Sequence, residues 1–73
     1  MDNTELKAAL LNELPVILTH ADGHEGEYKC VSAVIYRKRG RRVKVSAEIQ
    51  DRNGRSVVIC DPAKLRFADN ATE

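Results

Sequence analysis

Residues 42 to 50 read Arg-Val-Lys-Val-Ser-Ala-Glu-Ile-Gln, and they alternate. Val43, Val45, Ala47 and Ile49 take one parity; Arg42, Lys44, Ser46, Glu48 and Gln50 take the other. A period of two belongs to a strand with one face buried and one face wet, so this stretch sets the class as mostly β. Upstream, Lys38-Arg-Gly-Arg41 supplies a turn and Tyr28 to Arg37 a longer strand, which together with residues 42 to 50 make a hairpin. Downstream, Asp51-Arg-Asn-Gly54 closes a second turn before the apolar run Val57 to Cys60.

That second turn can close as a two-residue Asn-Gly loop or as a three-residue type I turn with a glycine bulge. The two differ by one residue in register and so exchange the faces of the following strand. Asp at the first and Gly at the fourth position favour the type I form. The bulged register sets Val57 and Ile59 beside Ile49 and Ala47, with Val58 and Cys60 pointing the other way and Cys30 in phase with Ser32 and Val34.

Farther out, Leu6, Ala9, Leu10 and Leu14 fall at helical spacing within residues 2–14, with Asp2, Asn3 or Thr4 as N-cap and Pro15 as the stop. Leu6, Leu10 and Leu14 are expected to close one end of the core. Val16 to His20 reads as a first strand, residues 21 to 27 as a polar loop, Asp61 to Leu65 as a single tight turn, Arg66 to Ala68 as a short last strand, and residues 69–73 as a disordered tail.

This order resembles the SH3-like small barrel: a looped first strand, a central meander, a single turn and a short final strand on one core. The resemblance covers residues 15–68. It implies a small antiparallel barrel of about five strands preceded by one N-terminal α-helix, all in a single domain, residues 1–73. The sequence has neither the aromatic cage of chromatin readers nor the aromatic and proline pattern of peptide-binding SH3 domains. Such barrels host unrelated functions, so the fold names none.

A chain of 73 residues is one domain, burying only about 60% of the surface its unfolded form exposes. Two cysteines and no apolar N-terminal run argue for a reduced, cytoplasmic protein. Apolar runs such as Ala33 to Tyr36 and Val57 to Cys60 are four residues long, against roughly 20 for a membrane span, so no membrane partner is expected. The formal net charge is +1, but it is segregated: residues 1 to 36 hold two basic and six acidic side chains, a net of −4, while residues 37 to 66 hold ten basic and three acidic, a net of +7. Such asymmetry points to a surface that faces a polyanion.

The densest feature is Arg37, Lys38, Arg39, Arg41, Arg42 and Lys44, six cations in eight residues without an acid. On a hairpin tip they can lie along the phosphates of DNA or RNA, with Arg52 and Arg55 of the neighbouring turn as outer contributors. The bland alternative is a solvated tip that discourages edge pairing. Tyr36, adjoining the cluster, reads as packed against the helix, with base stacking as the alternative. A second functional reading is a protein-interaction module or a homodimer, with Tyr36 and Val58 as contact residues.

His20, Asp22, His24, Cys30 and Cys60 can all ligate metals, but no Cys-x-x-Cys knuckle joins them, so neither a metal nor another cofactor is expected. Ser32, Ser46 and Ser56 lack a histidine close in sequence with an acid to orient it. Asp22-Gly-His-Glu-Gly lacks the Lys-Ser or Lys-Thr pair of a phosphate loop. The sequence therefore reads as a non-enzymatic binding module.

Overall fold

The computed structural model describes residues 1–68; the tail expected over 69–73 lies outside them. In chain order the elements are a helix α1 (Asn3–Asn12), strands β1 (Val16–Thr19), β2 (Glu25–Tyr28), β3 (Cys30–Arg39), β4 (Arg42–Gln50) and β5 (Val57–Cys60), a 3-10 turn (Pro62–Lys64) and β6 (Leu65–Phe67). The protein is mostly β, in two three-stranded antiparallel sheets ordered β2-β1-β6 and β3-β4-β5.

α1 starts at a capping box: Asp2 Oδ1 accepts from Glu5 N–H at 2.8 Å and Glu5 Oε1 accepts from Asp2 N–H at 3.0 Å, satisfying two backbone donors at once. It ends earlier than Leu14. Glu13 takes a left-handed φ of +50° and Leu14 N–H turns back to Ala9 C=O at 3.1 Å. That reversal takes Leu14 off the buried stripe, correcting its expected place in the core. Leu6 and Ala9 are buried and Leu10 packs beside them, while Leu14 is exposed. The helix lies against β3.

In the first sheet, Val16 and Leu18 face the core beside Leu65 and Phe67 on one flank and Tyr28 and Gly26 on the other. β2 falls mostly within the expected loop. Its outward residues are Glu25 and Glu27, and one of its inward positions is a glycine, so no apolar alternation marks it as a strand. Glu25 Oε2 accepts from Arg66 at 2.7 Å across the outer face, half exposed, a geometry worth about 0–1 kcal/mol.

In the second sheet, a bulge at Val31/Ala33 places Ser32 as the extra residue. Its hydroxyl donates to the Glu48 carboxylate at 2.9 Å. The bulge shifts the phase of β3, so Val31 opposite Ile49 and Val34 opposite Ala47 share the core face. Cys30, opposite Gln50, falls on the other face, and its thiol donates to Gln50 Oε1 at 3.7 Å. The expected match of Cys30 with Val34 is thus corrected.

The β4–β5 register is also corrected: Ile49 opposes Val58 and Ala47 opposes Cys60. Asp51 does open a tight turn, with Gly54 N–H bonding Asp51 C=O at 3.0 Å and Gly54 at φ +72°, but Asp51 N–H also bonds Ser56 C=O at 3.0 Å. The loop therefore spans four residues rather than three, which turns Val58 and Cys60 inward and Val57 and Ile59 outward.

One core joins both sheets and the helix: Leu6, Ala9, Val16, Leu18, Val31, Ala47, Ile49 and Leu65. The sheets meet where Lys29 separates β2 from β3, its N–H bonding Gln50 C=O at 2.9 Å. No pairing joins β5 to β6 among the described residues. The closed barrel expected from the element order is not found. No helix among the described residues is long and apolar enough to cross a membrane.

Candidate functional site

β3 and β4 are the two longest strands, and their far half runs beyond the core. Along the core-side face, burial fades from Ile49 and Ala47, through half-buried Val34 and Val45, to Tyr36 and Val43, which are 54% and 62% exposed. The result is a projecting arm in a molecule whose overall dimensions are 43 × 28 × 23 Å. Arg39 and Arg42 form its last pair. Gly40 and Arg41 close it, with Gly40 at φ +61° and no left-handed φ at Arg41, the pattern of a type II′ turn, which suits the strand twist and calls for glycine first.

Cross-strand partners share a face, so the register sorts the charges. Arg37 pairs with Lys44 and Arg39 with Arg42, on the face turned away from the core; Lys38 pairs with Val43 and Tyr36 with Val45, on the core-side face. The tip is therefore two-sided. Four cations occupy a patch of roughly 7 by 5 Å at the backbone, given the strand rise and pair spacing, and all are exposed. The ion pairs among the described residues are Arg66 with Glu25 and His24 with Asp22, so no acid answers this patch there. Like charges directly opposite each other destabilise a ladder, here by on the order of 0.5 kcal/mol per pair in water.

Tyr36, expected against the helix, is 54% exposed and is not among the hydrophobics packed on the core. The register carries it past the buried half of the sheet, on the face opposite the four-cation patch, so one flat surface cannot engage both the ring and those cations.

Arg52 and Arg55 lie in the turn at the other end of β4, about 27 Å from the tip along an eight-residue rise. The structure does not bring them to the patch. Arg52 lines a shallow cleft of about 220 Å³ with Pro15, Glu27, Tyr28 and Lys29. Arg55 donates its backbone N–H to Asp51 Oδ1 at 2.9 Å, and Ser56 Oγ donates to Oδ2 at 3.1 Å. Those bonds, the Arg55 N–H first, hold the Asp51 carboxyl below its ordinary 3.8.

The metal-capable residues His20, Asp22 and His24 share one loop, away in sequence from Cys30 and Cys60. His24 Nδ1 lies 2.6 Å from Asp22 Oδ2 on an exposed loop, Cys30 is buried beside Gln50, and Cys60 is half-buried on β5. Among the described residues no group of three or more could hold an ion. The Cys60 thiol is pushed up, by burial first and then by the Asp61 charge, which makes it a poor nucleophile at neutral pH. Of the serines, Ser32 bonds Glu48 and Ser56 bonds Asp51, neither with a histidine.

The edge formed by Val57, Val58 and Ile59 contains Val58, expected as a contact residue, together with Val57 and Ile59, which were expected to face the core. All three are exposed, at 49%, 37% and 51%. The signal was an apolar run placed last in a meander, which puts it at a sheet edge.

No protein-family model, curated protein or solved structure matches this chain.

Proposed function

We propose that this protein is a small non-enzymatic binding module that holds a nucleic-acid backbone, DNA or RNA, against the outer face of the β3–β4 arm. The observation that carries the reading is the gathering of Arg37, Arg39, Arg42 and Lys44 on one exposed face, with no acid bonded to them among the described residues. Arg grips phosphate through its planar fork, and Lys adds a mobile point charge. Arg41 at the turn and Lys38 on the other face are lesser contributors. Base readout is not part of the proposal, because the aromatic ring and the patch face opposite ways.

We also read the two sheets as an opened form of the SH3-like small barrel. β2 and β3 follow one another across Lys29 into different sheets, and a central meander and a single turn before a short last strand keep the element order of that superfold. This supports the architecture and supplies no activity. With both cysteines as free thiols, the proposal puts the module in the cytoplasm, where thiols stay reduced.

Fluorescence anisotropy with labelled duplex and single-stranded oligonucleotides, titrated across about 50 to 200 mM salt, tests the reading. Four neutralised phosphates give a logarithmic salt slope near −3.6 on duplex DNA. Replacing Arg37, Arg39, Arg42 and Lys44 together by Gln removes the binding, whereas Arg52→Gln with Arg55→Gln leaves it unchanged. No binding at the lowest salt overturns the proposal.

A further inference from the structure

Among the described residues the two sheets leave four strand edges unpaired, and three carry charge: Glu25 and Glu27 on β2, Arg66 on β6, and Arg37, Lys38 and Arg39 on β3. Charged side chains on an edge oppose pairing with another chain. β5 is different. It reads Val57-Val58-Ile59-Cys60, carries no charge, and exposes its first three side chains to water.

The ladder tells which backbone groups of β5 are available. Asp51 N–H bonds Ser56 C=O, so 51/56 is a hydrogen-bonded pair, and alternation makes Ile49/Val58 and Ala47/Cys60 hydrogen-bonded pairs as well. The N–H and C=O groups of Val57 and Ile59 therefore point away from β4. No turn, loop or side-chain bond reaches either residue among the described residues. β5 thus presents two donors and two acceptors along an uncharged edge.

We infer that a second copy of this chain pairs antiparallel along β5, about a two-fold axis through Val58, joining the two outer sheets into one of six strands. Parity and charge fix this register. Outward-pointing residues must oppose outward-pointing residues, so Val57 can face Val57 or Ile59 of the second copy, or Ile59 can face Ile59. Setting Val57 against Ile59 brings Arg55 of each copy opposite Asp61 of the other, two unlike pairs flanking the apolar centre. Centring on Val57 sets Arg55 against Ile59, and centring on Ile59 sets Asp61 against Val57; both lose the charge match. In the chosen register four interchain backbone bonds form between Val57 and Ile59, Val58 meets Val58 on the core-side face, and Ser56 meets Cys60.

The occupant is a second copy because the strand is complementary to itself. Its flanks have opposite sign, Arg55 before and Asp61 after, and an antiparallel two-fold pairing needs that arrangement. Arg55 lends only its backbone N–H to the turn, and Asp61 accepts from Ala63 N–H through Oδ1 alone. Both side chains can reach across. The inference is independent of the nucleic-acid reading, since the four cations lie on the arm and not on this edge.

Sedimentation equilibrium on the full chain, from about 10 μM to 1 mM, is the test, with circular dichroism confirming the fold of each variant. The weight-average mass is expected to rise from 8.2 kDa toward twice that value. Ile59→Lys, whose side chain points outward and is half exposed, holds the mass at that of one chain, and Arg55→Asp weakens association about ten-fold or more. In a Val58→Cys variant, mild oxidation joins the two position-58 thiols, which sit on the axis at a separation suited to a disulfide; peptide mapping identifies the link. A single-chain mass at all concentrations in the folded wild type overturns the inference. So does association that survives Ile59→Lys, a species larger than a dimer, or a variant that associates but forms no link at position 58.

Discussion

The two ends of β4 carry hairpin turns built from similar residues, and they behave as opposites. At the base, Asp51 takes in the Arg55 N–H and the Ser56 hydroxyl, its carboxyl is held below the ordinary range, and fully buried Ile49 lies two residues away. At the tip, Gly40 closes the strands without an acid, beside Val43 and Tyr36, which face water. Arginine appears at both ends. At the base the turn is held by local bonds to a carboxylate, from the Arg55 backbone N–H and the Ser56 hydroxyl. At the tip the cations lie beside one another with no acid bonded to them among the described residues, and under the proposed function a phosphate backbone balances them.

The two ends of β4 differ most in stability, and the core end carries the larger share. Ile49→Ala removes a side chain that is 0% exposed and is expected to cost about 2–5 kcal/mol in urea denaturation, whereas Val43→Ala costs under ~1 kcal/mol. Equal costs would mean that the arm is packed along its whole length.

The next effect is at Asp51. Its folded carboxyl titrates below the unfolded one, so its contribution is complete above the unfolded value of about 3.8 and is lost as pH falls through the lower, folded value. Asp51→Asn therefore lowers the unfolding midpoint at pH 7 and flattens the acid limb of the stability profile below about pH 4. A profile that keeps its acid limb in the variant would remove the carboxylate from the account.

The smallest effect sharpens the other end. Arg39→Thr relieves a like-charge pair and adds a β-branched residue, so it raises stability by a few tenths of a kcal/mol at low salt, a gain that fades as salt is added. The same substitution weakens oligonucleotide binding. Stability and binding move in opposite directions at the tip, as expected where charge is kept for a partner.

Much of this was legible in residues 42 to 50, whose alternation identified the central strand and the faces of the arm, and in the Asp2 to Leu14 spacing, which identified the helix. What sequence could not convey came from single-residue offsets. One extra residue at Ser32 moves Val34 onto the core face, and one extra residue in the Asp51 turn exchanges the faces of Val57 and Val58. Period-two patterns carry no marker for either event, because the flanking residues are apolar on both parities. β2 escaped notice for a different reason: with Gly26 at an inward position, its sequence offers little apolar periodicity, and its pairing with β1 is what makes it a strand. The cation cluster was visible as composition, but its partition into four on one face and Lys38 with Tyr36 on the other required the register. The distance of Arg52 and Arg55 from the tip also follows from strand length and turn position, not from their closeness in sequence.

The most direct test of the central claim is residue-resolved: titrate a short duplex of about 12 base pairs, and separately a single strand, into isotope-labelled protein at low salt and follow the backbone amides by NMR. Shifts are expected to concentrate at Arg37 to Lys44 and to fade with added salt, while residues 51 to 56 stay in place. Shifts centred on Arg52 and Arg55, or none with either nucleic acid, would contradict it.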